Sequence, residues 1–255
     1  MLRSARRILH YHIRAIDDEI GKVRDLYFDD RDWKVRYVVA DTGRWLPGRQ
    51  VLISPESIGQ PEWNVRLVPG LPVQLTKEQI ELIPPVASDK PVSRQHEAQL
   101  ASHFGWAAYW VPRFIATPPP SETAQTADAE VQEDEGDSHL RSLKEVTGYH
   151  ILASDGQIGH AEDVIVDTNE WAIRYVVVDT RNWLPGKRVL VAQAWVERVD
   201  WAANLLHVDL TRDLIKNAPQ FDASDPINRE YEGTLYDYYG RPKYWQRPTE
   251  TPVPR

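Results

Sequence analysis

The chain has 255 residues, of which 42% are hydrophobic and 27% are charged, and its formal net charge is −8. This composition is typical of a soluble protein with one large core or two smaller ones, and the lack of a long apolar run argues against an integral membrane segment. Cysteine is absent, which excludes disulfides and thiolate-ligated metals and fits a cytoplasmic location.

One unit of about 105–110 residues is present twice, which is the size of a single domain. A shift of 138 positions aligns residues 2–53 with residues 140–191, and about half of the aligned positions are identical. The first repeat starts at Leu2, so a targeting segment is not expected. The predicted division is a barrel at 1–83, an arm at 84–116, an acidic disordered linker at 117–139, a second barrel at 140–218, a second arm at 219–247 and a tail at 248–255.

Each repeat begins with short segments rich in β-branched and aromatic residues, which predict strands. In the first repeat these segments are residues 20–29, 34–41, 50–54 and 64–68, and in the second they are residues 158–167, 172–179, 188–192 and 205–208. Strands this short and closely spaced are typical of a small closed barrel. Helices are predicted later in each repeat, with N-caps at Thr76, Ser93, Thr211 and Asn228 and ends at Gly105 and Gly240.

The linker carries much of the negative charge. Seven acidic residues and no basic ones lie between Glu122 and Asp137, so the rest of the chain is close to −1. A segment of this composition cannot bury enough apolar surface to become ordered. The nearly neutral remainder offers no broad basic face to nucleic acid, which argues against nucleic-acid binding.

The sequence DTGRWLPGRQVLI at 41–53 returns as DTRNWLPGKRVLV at 179–191. The Pro-Gly pairs predict type II turns, because proline fixes its φ and glycine accepts a positive φ. Trp45 and Trp183 either fold across the barrel or present a flat apolar surface to a partner, with Arg44 and Arg49, or Arg181 and Lys187, as flanking contacts.

The arms also carry candidate binding residues. Clustered aromatics must pack on a barrel, on the other repeat or on another chain, because a soluble protein does not leave so many of them exposed. The members of these clusters taken as candidate interaction residues are Trp106, Trp110, Tyr244 and Trp245.

Catalytic and metal sites are not predicted. The repeated aspartates at 25, 29, 41, 163, 167 and 179 sit at predicted strand ends, where turn and capping roles are ordinary. His10 and His12 share a strand face but have no evident third ligand. We therefore expect no enzyme activity, no cofactor and no bound metal.

The pattern GYHI…DGQIGHAEDVIVD…WAIRYVVVDTRNWLPGKRVLV, with IGKVRDLYFDD…VRYVVADTGRWLPGRQVLI in the first repeat, resembles the PRC-barrel family. That family is named after the cytoplasmic domain of the photosynthetic reaction-centre H subunit and includes a ribosomal RNA processing factor. The resemblance implies a mainly β fold with helical additions, in which two small SH3-like barrels in tandem are each followed by short helices and an aromatic-rich arm.

The resemblance also implies a function without catalysis. Family members resemble adaptors that bind other proteins, so we expect a protein-interaction module whose two barrels associate within the chain or in a homodimer. The partner is not identified by the sequence. A ribosome- or RNA-associated factor and a small-ligand or metal-binding protein are the alternatives.

Overall fold

A computed structural model of the chain describes residues 1–43, 45–59, 70–84, 94–106, 108–110, 139–180 and 187–246. The predicted strand at 64–68, the Ser93 cap, the second LPG turn, almost all of the acidic linker and the tail after residue 247 lie outside them. Within the described residues no helix is long and apolar enough to span a membrane.

The fold is mainly β with short helices, as predicted, and the two repeats have matching element orders apart from β12, which has no counterpart among the described residues of the first repeat. The first repeat contains β1 (Leu2–Ser4), α1 (Ala5–Ile8), β2 (His12–Arg14), β3 (Glu19–Asp29), β4 (Lys34–Asp41), β5 (Gln50–Ile53), β6 (Gly70–Pro72), α2 (Lys77–Glu81) and α3 (Arg94–Phe104). The second contains β7 (Leu140–Ser142), α4 (Leu143–Val146), β8 (His150–Ala153), β9 (Gly156–Asp167), β10 (Ala172–Asp179), β11 (Arg188–Ala192), β12 (Val196–Asp200), β13 (Leu205–Val208), α5 (Arg212–Asn217) and α6 (Arg229–Tyr239). Single 3₁₀ turns follow β5 at Pro55–Ser57 and β11 at Gln193–Trp195.

The helix ends follow the predicted capping chemistry. The Thr76 hydroxyl accepts a hydrogen bond from the Gln79 amide, and the Gln79 side chain accepts one from the Thr76 amide, which completes a capping box. Helices α5 and α6 each have a single side-chain cap. The Thr211 hydroxyl accepts a hydrogen bond from the Leu214 amide, and the Asn228 side-chain oxygen accepts one from the Tyr231 amide. Gly240 ends α6 in the left-handed conformation, with φ 62°.

The chain forms two compact units that do not follow the repeat boundaries at their N-terminal ends. Unit 1 comprises Met1–His10, Asp32–Val35 and Ser142–Arg255, and unit 2 comprises Tyr11–Arg31 and Arg36–Arg141. Unit 1 therefore contains the opening segment of the first repeat, while unit 2 ends with the first residues of the second repeat. Each unit is completed by chain from the other repeat.

In unit 1 the strands run in the order β12-β13-β8-β9-β10, with β11 on β10. The long strand β9 also pairs antiparallel with β1, so that Leu2 lies opposite Asp167 and Ser4 opposite Ile165. Helix α1 follows β1 at once and packs on β9, which buries Ile8 completely. The strands curl around a core whose largest fully buried side chains include Ile8 and Tyr175.

In unit 2 the order is β4-β3-β2-β6, with β5 on β4 and β7 on β3. Strands β2 and β6 are parallel, as are their counterparts β8 and β13 in unit 1. The core of unit 2 contains fully buried side chains from the strands and from α2 and α3, among them Ile13, Leu26, Phe28, Leu52, Ile53, Leu71, Ile80 and Leu100.

Candidate interaction site

The repeated DT…LPG stretch forms a closed turn at the end of β4. The Arg49 amide donates to the Leu46 carbonyl over 3.1 Å, and Gly48 has φ 74°, as a type II turn requires. The buried Thr42 hydroxyl lies 2.8 Å from the carbonyl oxygens of both Leu46 and Arg49. In unit 1 the Thr180 hydroxyl donates to the Lys187 carbonyl over 3.0 Å. In both repeats the threonine hydroxyl thus bonds to the carbonyl of the residue that follows the LPG sequence.

A glycine on the neighbouring strand lets that strand pass beneath the turn. A Cβ on Gly21 would lie 1.9 Å from the Asp41 carbonyl oxygen, and one on Gly159 would lie 2.1 Å from that of Asp179. Their φ angles are 145° and 151°, which side-chain-bearing residues rarely adopt. The glycine and the DT dipeptide therefore form one structural feature, which the sequence repeats together.

The basic residues after the turn bind the end of the following helix. The Arg49 guanidinium donates to the carbonyl oxygen of Glu81 over 2.7 Å and also to that of Ile83. The Lys187 ammonium donates to the Lys216 carbonyl over 2.6 Å. Cations in these positions satisfy carbonyls that the last helical turn leaves unpaired. Arg49 and Lys187 thus attach α2 and α5 to their barrels, and contact with a partner stays a prediction for both.

Trp45 is half-buried beside the start of α2. The Lys77 ammonium lies 5.1 Å from the centre of its ring, within the range of a cation–π contact. Lys77 also pairs with Asp18 at 2.7 Å, and its amide donates to the Asp17 carboxylate over 2.9 Å. Trp45 is therefore neither fully buried nor fully exposed, and its contact with a partner stays a prediction. Arg44, Arg181 and Trp183 lie outside the described residues.

The aromatic arm of the second repeat packs on the barrel of unit 1 through a buried carboxylate. Glu232, on α6, accepts hydrogen bonds from the hydroxyls of Tyr175 at 2.7 Å and Tyr244 at 2.9 Å. It also pairs with Arg229 at 3.0 Å. The Arg174 guanidinium lies 4.5 Å from the centre of the Tyr244 ring. Strand β10 supplies Tyr175 and Arg174, so this cluster joins the arm to the sheet.

Further aromatic contacts extend that packing. The Trp195 ring lies 5.2 Å from that of Tyr236 and 4.6 Å from that of Tyr239, and Trp245 lies 5.3 Å from Tyr236. Burial raises the pKa of Tyr236 and of Tyr244 to about 12, and burial together with the bond to Glu232 raises the pKa of Tyr175 further. These phenols stay protonated at neutral pH and act as hydrogen-bond donors.

The arm of the first repeat has a similar arrangement of glutamate, tyrosine and arginine in unit 2. The buried Glu97, on α3, accepts a hydrogen bond from the Tyr109 hydroxyl over 2.6 Å, and the Arg36 guanidinium lies 3.8 Å from the centre of the Tyr109 ring. Trp106 donates through its indole nitrogen to the Ser57 hydroxyl over 2.9 Å, while Trp110 packs edge-on against Tyr109. The arm residues predicted as an interaction surface therefore lie half-buried on a barrel, except for Tyr244, which keeps 38% of its surface exposed.

The opening segment of the first repeat is held in unit 1 by polar contacts. Ser4 caps α1 and donates its hydroxyl proton to Asp163 over 2.5 Å, and the Arg6 amide reaches the same carboxylate at 3.2 Å. The Arg6 side chain pairs with Glu162 at 2.9 Å, and the N-terminal ammonium pairs with Asp167 at 2.8 Å. Four groups of the segment, from Met1, Ser4 and Arg6, thus reach side chains of β9.

The pKa values of two carboxylates in this contact are shifted in opposite directions. Burial raises the pKa of Asp163 despite its hydrogen bonds from Ser4, Val164 and Arg6. Burial also acts to raise the pKa of Glu162, but the hydrogen bond and charge of Arg188 and the charge of Arg6 outweigh it, so that this pKa is lowered.

In unit 2 Asp30 binds the opening residues of the second repeat, with His139 at 3.0 Å and Arg141 at 3.1 Å.

Residues 2–67 match the family model of the PRC-barrel domain. The first repeat carries a PRC-barrel domain. No curated protein is significantly similar to the chain. The PRC-barrel domain contains Trp45 and the Thr42 and Gly21 features of its turn, whereas the arm residues Trp106 and Trp110 lie beyond the matched region.

Sequence reasoning missed three features of the site. It did not find the capping role of Arg49, the buried position of Glu97 and Glu232, or the exchange of opening segments. The signal for the buried glutamates was present, because the SRxxE…YW spacing of the first arm returns in the second. Among the described residues, no group of three or more histidine and acidic side chains could hold a metal ion.

Proposed function

We propose that the chain is a cytoplasmic, non-catalytic protein-interaction module, in which two PRC-barrels form an intramolecular pseudo-dimer and serve as an adaptor. The observation that carries the proposal is the reciprocal composition of the two units. Unit 1 contains Met1–His10 of the first repeat, and unit 2 ends with the first residues of the second repeat, up to Arg141, so each unit includes a strand-forming piece of the other repeat. Exchange of identical elements is a common way to build a two-fold pair.

The side chains considered for acid–base chemistry support a structural role. Asp163 accepts from Ser4, Asp29 binds Arg31 at 2.8 Å, and Asp41 accepts from the Gly43 amide at 2.9 Å. Asp167 binds the N-terminus. Each holds a loop or a terminus in place, which favours a scaffold over an active site.

The pseudo-dimer is tested by cutting the linker. A protease site inserted near residue 125 divides the full chain into its two repeats after folding. We expect the nicked protein to elute at the size of the uncut chain, even at nanomolar concentration, and to separate only in denaturant. Repeats that part at micromolar concentration without denaturant would refute the pair.

The adaptor role needs a separate test. The full chain, tagged at its C-terminus, is isolated from the cells that make it after reversible crosslinking, and copurifying proteins are quantified against a tagged control. We expect a stoichiometric protein partner whose recovery does not change after nuclease treatment. Recovery only with ribosomal RNA, or turnover of a metabolite without any protein partner, would refute the adaptor role.

A further inference from the structure

Unit 2 exposes two large aliphatic side chains at the ends of α2. Ile16 is 69% exposed and Leu82 is 60% exposed. The Ile16 amide donates to the Leu75 carbonyl over 3.0 Å, which fixes Ile16 beside the start of the helix, and Leu82 is the residue that ends it. A five-residue helix is about 7.5 Å long, so both side chains belong to one small region, with the half-buried Trp45 next to Lys77 at its edge.

This region, the α2 face, carries a net negative charge, because its four carboxylates outnumber the cations of Lys77 and Arg49. Asp17 and Asp18 follow Ile16 directly, and Glu78 and Glu81 lie on α2 itself. All four side chains are exposed. The hydrogen bond and charge of Lys77 hold the pKa of Asp18 below its usual range, so that it is ionised at neutral pH. Apolar side chains next to an excess of exposed carboxylates form a surface that favours a basic partner over an acidic one.

The second repeat shows that the fold does not require this surface. At the matching positions Ile16 is replaced by Ser154, Asp18 by Gly156, Glu81 by Lys216 and Leu82 by Asn217. The matching helix α5 keeps the same cap and the same buried isoleucine, Ile215. The second repeat therefore folds without these side chains, and the apolar and acidic character of the α2 face is a property of the first repeat.

We propose that the α2 face binds a basic amphipathic segment of a partner protein, with apolar side chains against Ile16, Leu82 and Trp45 and lysine or arginine side chains against the surrounding carboxylates. The inference rests on the proposed adaptor function and names the chemistry of its partner. A second copy of the chain would oppose these carboxylates with its own, and an anionic membrane or nucleic acid would be repelled by them.

The binding chemistry is tested with two synthetic helical peptides. They share one leucine stripe and carry either lysine or glutamate on the other face, and their fluorescence anisotropy is measured with the full chain at low and physiological salt. We expect the lysine peptide to bind at least about tenfold more tightly than the glutamate peptide. Equal binding of the two peptides would overturn the proposal.

Variants locate the peptide on the protein. The double variant I16S/L82N introduces the side chains of the second repeat and should weaken binding of the lysine peptide by about tenfold or more. The matched control L214Q removes a 38% exposed leucine from α5 and gives it the residue found in α2, and it should leave binding unchanged. The variant E78Q/E81Q should reduce the salt dependence. Loss of binding in L214Q but not in I16S/L82N would overturn the assignment.

The native partner distinguishes this inference from the proposed function. A photo-crosslinking amino acid replaces Leu82, or Asn217 as the control, in the full chain in its own cells. We expect a crosslink only at 82, to a peptide of another protein in which basic residues flank apolar ones. A crosslink to an acidic peptide or to a second copy refutes the inference and leaves the adaptor role standing. If the lysine peptide binds the face but the full chain captures no protein partner at all, the adaptor role fails and the binding chemistry remains.

Discussion

Two isoleucines five positions apart should stabilise different units. Ile8 lies on α1 and is fully buried in unit 1, whereas Ile13 lies on β2 and is fully buried in unit 2. Replacement of either by alanine removes three buried carbon atoms, worth about 0.8 kcal/mol each in transfer free energy. The cavity left behind adds to this, so each variant should lose about 3 kcal/mol of stability in its own unit.

Hydrogen exchange read by mass spectrometry resolves the two effects. In Ile8→Ala the amides of β9 and β10 should exchange about 100-fold faster, because about 1.4 kcal/mol corresponds to a factor of ten. In Ile13→Ala the acceleration should fall on β2 and β3 instead. If Ile8→Ala accelerated exchange in β3 and left β9 unchanged, the opening segment would belong to its own barrel and the reasoning would be refuted.

Three further predictions concern the turn, the opening segment and the arm. Gly159→Ala should lower the free energy of unfolding by at least about 2 kcal/mol, because its Cβ would overlap the Asp179 carbonyl. The control Gly43→Ala, with open space around its Cβ, should cost only about 1 kcal/mol. A similar melting temperature for both variants would contradict this prediction. The lowered pKa of Glu162 contributes stability that is present above its unfolded pKa and is lost as pH falls through the folded value. Glu162→Gln should therefore make the melting temperature depend less on pH between about pH 5 and pH 3. An unchanged slope of melting temperature against pH would argue against the ion pairs of Glu162. Tyr244→Phe should lower the free energy of unfolding by about 1 kcal/mol. It should also reduce the loss of stability as pH rises from about 10 to 12, because burial raises the pKa of this phenol in the folded chain to about 12. A loss of stability at alkaline pH equal to that of the unmodified chain would refute the buried hydrogen bond.

The sequence predicted the local elements of the fold and most of its chemistry of turns and caps. Strands β4 and β10 have the predicted bounds, since their runs of valine flanked by aspartate are typical of a buried strand ending in a turn. The Thr76 capping box and the type II turn at Gly48 follow equally from short-range patterns. Such features depend on neighbours in sequence, which one chain displays directly.

The exchange of opening segments could not be predicted in this way. Both repeats begin with Leu-Arg-Ser, and both receiving strands carry an aspartate at the matching place, Asp25 or Asp163. The shared aspartate therefore does not distinguish the two barrels. The neighbouring position does differ, because Glu162, which pairs with Arg6, is matched by Arg24 in the first repeat, but this difference becomes informative only once the exchanged pairing is known. Trp33 and Trp171 could not be predicted either, because they are buried with φ angles of 58° and 49°, a conformation that propensity does not predict for tryptophan.

The exchange is tested most directly by an engineered disulfide, which the absence of cysteine makes simple to read. Leu2 lies opposite Asp167 in the register of β1 and β9, next to the hydrogen-bonded pair formed by Met1 and Thr168, so the two form a non-hydrogen-bonded pair with closely spaced side chains. After the linker is cut, oxidised Leu2→Cys/Asp167→Cys should migrate as one covalent species on a denaturing gel, while the matched control Leu2→Cys/Asp29→Cys should give two separate repeats. Two separate repeats from oxidised Leu2→Cys/Asp167→Cys, with loss of the free thiols in the control through a crosslink inside the first repeat, would contradict the exchange and the pseudo-dimer built on it.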